Sequence, residues 1–201
     1  MFADPSCKDL TDSFALVSYI AGPLSDFLDT LRRELVPNCF LRAHVSILPP
    51  RPCTTAPEVA ADQIRTAARW FHPFQVDLLA VEVFPVSDVI YISIGNGEKE
   101  LRQMHALMNS GGLRFQEPFP YHPHITIAQD LKSDELDEFV QVAKQRWAEF
   151  SSPKSFQVNS TTFVQSTKRK TWVDLDECRI GPNPDVVHHA FTDGNPRTLR
   201  R

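Results

Sequence analysis

The chain has 201 residues, 42% hydrophobic and 23% charged, which is ordinary for a globular protein and enough for one compact domain or two small lobes sharing a core. A formal net charge of −4 excludes a protein that coats long nucleic acid by charge alone, but leaves room for a local basic groove or a small anionic substrate. No run approaches the roughly 18 apolar residues of a membrane span, so no membrane partner is expected.

The opening MFADPSCKDL carries Asp4 early and does not resemble a secretion signal. Cys7, Cys39, Cys53 and Cys178 form no CxxC pair, and scattered thiols of this kind point to a reducing cytoplasm. Residues 1–12 read as a loose start. Residues 14–20 (FALVSYI) alternate as a strand, and Gly22-Pro23 breaks it. Leu24, Phe27, Leu28, Leu31 and Leu35 then recur at helical spacing until Pro37. The stretch HVSILPP follows. Its β-branched residues predict a short strand from His44, which Pro49-Pro50 should stop.

Residues 51–57 read as a proline-punctuated loop, and 58–70 as a helix carrying Val59, Ile64, Ala67 and Ala68. A long strand over 74–84, bulged near Leu79, and a second over 89–94 predict a hairpin. Residues 98–108 predict a helix that ends at Asn109-Ser110-Gly111-Gly112. A proline-rich approach over 117–123 leads into a second short strand, His124-Ile125-Thr126-Ile127-Ala128. Ser133 can cap a helix whose apolar stripe is Leu136, Phe139, Val140, Ala143 and Trp147. Residues 156–165 and 171–180 alternate as two strands joined by a turn that holds Lys168-Arg169-Lys170. Residues 183–201 lack periodicity and read as a poorly ordered tail.

Within each histidine strand, side chains alternate faces. His44 and Ser46 therefore share one face, as do His124 and Thr126, with imidazole and hydroxyl roughly 7 Å apart. Each histidine strand is preceded by a strand and a helix and followed by a helix, so the order strand, helix, His-strand, helix occurs twice. No composition break splits residues 1–182. The fold class expected is α/β (α+β), one unit of two similar lobes.

Two H-x-[ST] strands 80 residues apart (His44 and His124), one followed by Leu48-Pro49-Pro50 and the other preceded by Tyr121-His122-Pro123, resemble the two-histidine phosphoesterase superfamily. The branch most similar is the 2′-5′ RNA ligase family, which includes RNA 2′,3′-cyclic phosphodiesterases. The resemblance implies a bilobal pseudo-twofold fold, with two antiparallel sheets facing a central groove and helices outside. It also implies metal-independent chemistry, without a cofactor, on 2′,3′-cyclic phosphate ends or small 2′-5′ linked nucleotides. Many members carry a basic residue soon after the second motif, where this chain has Gln129. A reversible 2′-5′ RNA ligase, or a nucleotide-binding module without turnover, are the alternative readings.

The chemistry explains the residue types. Opening a cyclic phosphodiester takes a proton from water and gives one to the leaving ribose oxygen. Two imidazoles, one neutral and one protonated, do both near neutral pH. His44 and His124 are the candidate acid–base pair. Ser46 and Thr126 can donate to the non-bridging oxygens where charge builds. Arg42, two residues before His44, adds positive potential, with Arg51 a weaker candidate. Tyr121, Phe84, Phe119 and Tyr91 are candidates for stacking on a base. Trp70, Trp147 and Trp172 read as packing residues, and His72 and His105 as surface residues. His122 with His124 lacks a third and fourth ligand, so no metal is expected. A small nucleotide or RNA end is the expected partner, and a monomer the expected state.

Overall fold

The computed structural model describes residues 9–131 and 134–182. The expectations for Cys7, the Ser133 cap and the 183–201 tail lie outside the described residues. The chain runs β1 (Leu10–Tyr19), α1 (Pro23–Leu35), β2 (His44–Arg51), α2 (Pro57–Ala68), β3 (Phe74–Val83), β4 (Ile90–Ile94), α3 (Glu98–Met108), β5 (His124–Ala128), α4 (Leu136–Glu149), β6 (Ser155–Val158), β7 (Ser160–Thr167) and β8 (Trp172–Arg179). The strands form two antiparallel sheets of four, in the orders β2-β1-β7-β8 and β5-β4-β3-β6.

The two sheets correspond position by position. Each histidine strand, β2 or β5, is an edge strand beside the first strand of its repeat, β1 or β4. The helices cross between repeats: α1 packs against β5, and α3 against β2. Each buries one stripe, Leu24, Leu28, Leu31 and Leu35 on α1, and Leu101, Met104 and Met108 on α3. The result is one hydrophobic core that spans both lobes, from Leu16 and Val45 in the first sheet to Ile92 and Ile125 in the second.

The structure corrects four expectations. β1 begins at Leu10, inside the stretch read as a loose start, because its first residues already pair with β7. Pro49 and Pro50 do not stop β2, which continues to Arg51. A proline lacks the N–H that an inner strand needs, but β2 lies at the sheet edge and pairs with β1 alone. The single strand expected over 156–165 is two strands parted at Asn159. β6 pairs with β3 and β7 with β1, so the chain changes sheets there. Alternation continues through such a switch, and it carries no mark of which sheet a strand joins. Trp70 is 79% exposed rather than packed, because α2 ends at Ala68 and the indole falls off its buried stripe. The bulge expected near Leu79 is present, as a register shift between Leu78 and Val81.

Candidate active site

Pleating puts Leu16 and Phe163 into the core and turns Ala15, Val17 and Val164 to the opposite face of the first sheet, where they cluster with Tyr19 and Trp172. His44 pairs across the ladder with Tyr19, and Ser46 with Val17. Both motif side chains therefore stand on that second face. In the other sheet His124 pairs with Ser93 and Thr126 with Tyr91. β2 and β5 lie against each other across the lobe boundary.

The two histidines are held in the same way. His44 Nδ1 donates to the Arg42 carbonyl at 2.6 Å, and His124 Nδ1 donates to the His122 carbonyl at 2.7 Å. Each acceptor lies two residues before its ring. A carbonyl can only accept, so the proton sits on Nδ1, and Nε2 is the ring atom left for chemistry.

Ser46, Tyr121, His124 and Thr126 line a cavity of about 470 Å³. Gln129 lines it as well. Its walls are largely apolar, with Pro49, Pro50, Phe84 and Phe119 among them, and no lysine or arginine lines it among the described residues. His44 does not line this cavity. Its ring is 8% exposed, with Trp172 4.7 Å away between centroids and Tyr19 edge-on at 6.4 Å. Tyr19, Arg42 and Trp172 line a second cleft of about 260 Å³. His44 thus stands between two hollows: Ser46, on its own strand face, borders the first, and the rings against it border the second.

Both imidazoles are biased toward the neutral form. Burial pushes His44 down from its usual value to about 3, the Arg32 charge adds to this, and the charges of His124 and Arg42 work the same way against the Arg42 carbonyl hydrogen bond. Arg32 is itself buried and donates to that same Arg42 carbonyl at 3.3 Å. Burial also lowers His124, with a further push from His122 and an opposing one from its backbone hydrogen bond.

The other sequence candidates are placed as follows. Arg42 lies just before β2, not on its face. Its guanidinium pairs with Asp174 at 2.6 Å and stacks over Tyr19 at 3.5 Å, so its charge is already partnered. Arg51 offers no positive potential to the cavity. It is 2% exposed, paired with Glu117, and donates to Pro49 and Leu113 carbonyls and to Asn109. Tyr121 lines the cavity, but His105 covers one face of its ring at 3.9 Å, and its hydroxyl donates to the Ser46 carbonyl at 2.8 Å. Tyr91 is buried under Phe84 and bonded to Glu82, which removes it from stacking on a ligand. Phe84 and Phe119 remain on the cavity wall. Lys170 and Arg169 sit at the β7–β8 turn near Asp130 and Asp9.

Three residues have roles that sequence reasoning missed. Trp172 is packed, as expected, but against His44. His105 is not a surface residue: its Nδ1 donates to the Ile47 carbonyl at 2.9 Å, because α3 lies on β2. Arg32 is charged, yet it is buried behind the carbonyl that holds His44. Arg32 does fall four residues after Leu28, a spacing that places it beside the buried stripe. No periodicity announces Trp172. Among the described residues no group of three or more His, Cys, Asp or Glu side chains stands ready to hold a metal, and no helix is long and apolar enough to cross a membrane.

The family model described as the 2′-5′ RNA ligase superfamily matches residues 23–170, a span that holds both histidine strands. A Bacillus licheniformis protein whose name reads "putative phosphoesterase" is 28% identical over 142 residues, covering 66% of this chain and 80% of its own length. A Geobacillus thermodenitrificans protein of the same name is 22% identical over 182 residues, covering 86% and 99%. Among solved structures, Escherichia coli LigT complexed with 3′-AMP superposes with a TM-score of 0.57 at 15% identity, over 84% of this chain and 98% of that one. Kluyveromyces marxianus Usb1 gives 0.52 at 13% identity, over 82% and 97%. At such identity these two structures share the fold with this chain.

Proposed function

The chain belongs to the 2′-5′ RNA ligase superfamily, and from that premise we propose that it is a phosphodiesterase in which His44 and His124 act as an acid–base pair on 2′,3′-cyclic phosphates or small 2′-5′ linked nucleotides. The observation that carries the reading is the matched tether of the two rings, each Nδ1 on the carbonyl two residues before it and each followed two residues later by a hydroxyl. Such tethers aim two Nε2 atoms from strands that meet at the lobe boundary. The 3′-AMP bound to LigT supports a nucleoside phosphate as the ligand class.

In the hydrolytic direction His44 removes a proton from water as its oxygen bonds to phosphorus. One ribose–phosphorus bond breaks, and the departing ribose oxygen takes a proton from His124. The surroundings suggest these roles. His44, kept neutral by burial and Arg32, is in the protonation state that a base needs, and the negative charge that gathers at the phosphate raises its affinity for the proton. His124 is held down without a buried arginine beside it, and an anionic phosphate raises its affinity for a proton. Ser46 and Thr126 donate to the non-bridging oxygens. Arg42 and Tyr121 contribute as supports, Arg42 through its carbonyl and Tyr121 through the Ser46 carbonyl.

The test is turnover of adenosine 2′,3′-cyclic phosphate, with and without a chelator. Release of a nucleoside monophosphate that persists under chelation is expected. Turnover lost on chelation redirects the mechanism to a metal, and binding without product makes the protein a nucleotide-binding module.

A further inference from the structure

A phosphate ester brings negative charge, and neither hollow near His44 offers a free cation to meet it. The first has a carboxylate on its wall, Glu117, and no lysine or arginine among the described residues. The second has Arg42, whose charge Asp174 already meets. The β7–β8 turn brings a cation to the place where the two hollows adjoin. On one side of it Thr171 lines the second hollow, and Trp172, next in the chain, lies against His44. On the other side Lys170 Nζ stands 3.4 Å from the Asp130 carboxylate, and Gln129, the residue before Asp130, lines the first hollow. A turn of the first sheet thus reaches the end of β5 in the second, with an ammonium at the crossing.

The backbone there is held in an unusual form. Lys170 and Asp130 both have a left-handed backbone, each at φ 57°. Aspartate adopts that conformation more easily than lysine. The turn is nonetheless tied shut. Thr167 N donates to the Thr171 carbonyl at 2.9 Å, Lys170 N donates to the Thr167 carbonyl at 3.0 Å, and the two threonine hydroxyls meet at 2.7 Å. The Lys170 side chain itself is 86% exposed and swings on a four-carbon stem. An ion pair between two exposed groups contributes little, so Asp130 gives up the ammonium readily to another anion.

We infer that Lys170 is the cation that grips the phosphate: it rests on Asp130 in the empty site and passes to a non-bridging phosphate oxygen when a ligand enters. This rests on the reading of the ligand as a phosphate ester and adds the group that holds its charge. The two halves of the ion pair then have opposite effects on binding. Lys170 attracts the phosphate, and Asp130 competes with it.

Calorimetric titration with adenosine 3′-monophosphate tests this on wild type, Lys170→Gln, Asp130→Asn and the double variant. Lys170→Gln is expected to weaken binding about tenfold, as loss of a charge-assisted hydrogen bond does. Asp130→Asn frees the ammonium and should tighten binding about threefold. The double variant should bind like Lys170→Gln, because the gain needs the ammonium. Added salt should weaken wild type more than Lys170→Gln. Binding indifferent to Lys170→Gln overturns the grip, and so does binding weakened by both single variants, which would make the pair a clamp of the fold. A wild type that does not bind the monophosphate overturns it as well. Turnover of adenosine 2′,3′-cyclic phosphate separates this result from failure of the catalytic reading. The expected binding pattern without turnover leaves the grip standing and ends the acid–base assignment. Turnover with a KM unmoved by Lys170→Gln does the reverse.

Discussion

His44 and His124 occupy equivalent edge strands and make the same hydrogen bond to the carbonyl two residues before them. Their surroundings are not equivalent. His44 is nearly closed off beneath Trp172, with the buried Arg32 behind the carbonyl that holds it. His124 is half-buried, edge-on to Phe84 and Tyr91, and opens into the apolar cavity. Duplication of the backbone fixes where the rings stand, because that follows from strand register and one backbone hydrogen bond. It does not fix how readily each ring takes a proton. That depends on side chains from α1 and β8, which the second repeat replaces with different ones. A pair of similar groups can then divide the acid and base roles without any difference in its own motif.

The harshest way to break this comparison is to remove one ring at a time. His44→Ala and His124→Ala are each expected to lower kcat on a cyclic phosphate or 2′-5′ diester about a thousandfold, since each takes away one proton-transfer partner. Near wild-type turnover in either variant ends the paired scheme. Next come the hydroxyls. Ser46→Ala and Thr126→Ala should each cost about a hundredfold in kcat with little change in KM, while Thr126→Ser keeps most of the rate. A loss confined to KM would assign these residues to ground-state binding instead.

Much of the site was legible because it is periodic. A spacing of two puts His and Ser or Thr on one strand face, and a repeated element order pairs the strands; both features survive in the structure. The single core spanning two lobes also follows from the amphipathic stripes of α1 and α3. What stayed hidden depends on contacts between distant segments. Arg51 reads as a flanking cation, and only the fold brings Glu117, 66 residues away, to its guanidinium. Arg42 reads as free, and Asp174 waits 132 residues downstream. The switch of sheet at Asn159 is invisible to alternation, since the pattern of in and out continues through it.

The unequal burial of the two rings also has a consequence for stability. His44 takes up a proton near pH 6.5 when unfolded and only near 3 when folded, so the unfolded chain binds more protons between those values and the native state weakens as pH falls through that window. For His44 alone the loss is about 2 kcal/mol at pH 5 relative to pH 8. His124 shifts in the same direction and adds to it. Urea unfolding of wild type and His44→Gln at both pH values measures this. The variant should lose about 2 kcal/mol less on acidification. An identical slope would mean that the folded His44 is open to protons.

The mildest change sharpens the comparison at one atom. The Tyr121 hydroxyl, from the second repeat, donates to the Ser46 carbonyl in the first, while His105 covers its ring and Arg102 donates to its carbonyl. β2 is an edge strand, and this bond is one of the ties that fix it relative to β5. Tyr121→Phe keeps the ring and its stacking and removes only the hydroxyl. A stability cost of about 1 kcal/mol is expected, because a partly buried carbonyl loses its donor. Turnover should fall only a few-fold, through a slight loosening of Ser46 and His44 together, with the pH profile unmoved because no charge is altered. A fall as large as that of Ser46→Ala would show instead that the phenol itself touches the substrate, and that Tyr121 belongs among the groups that act on the phosphate.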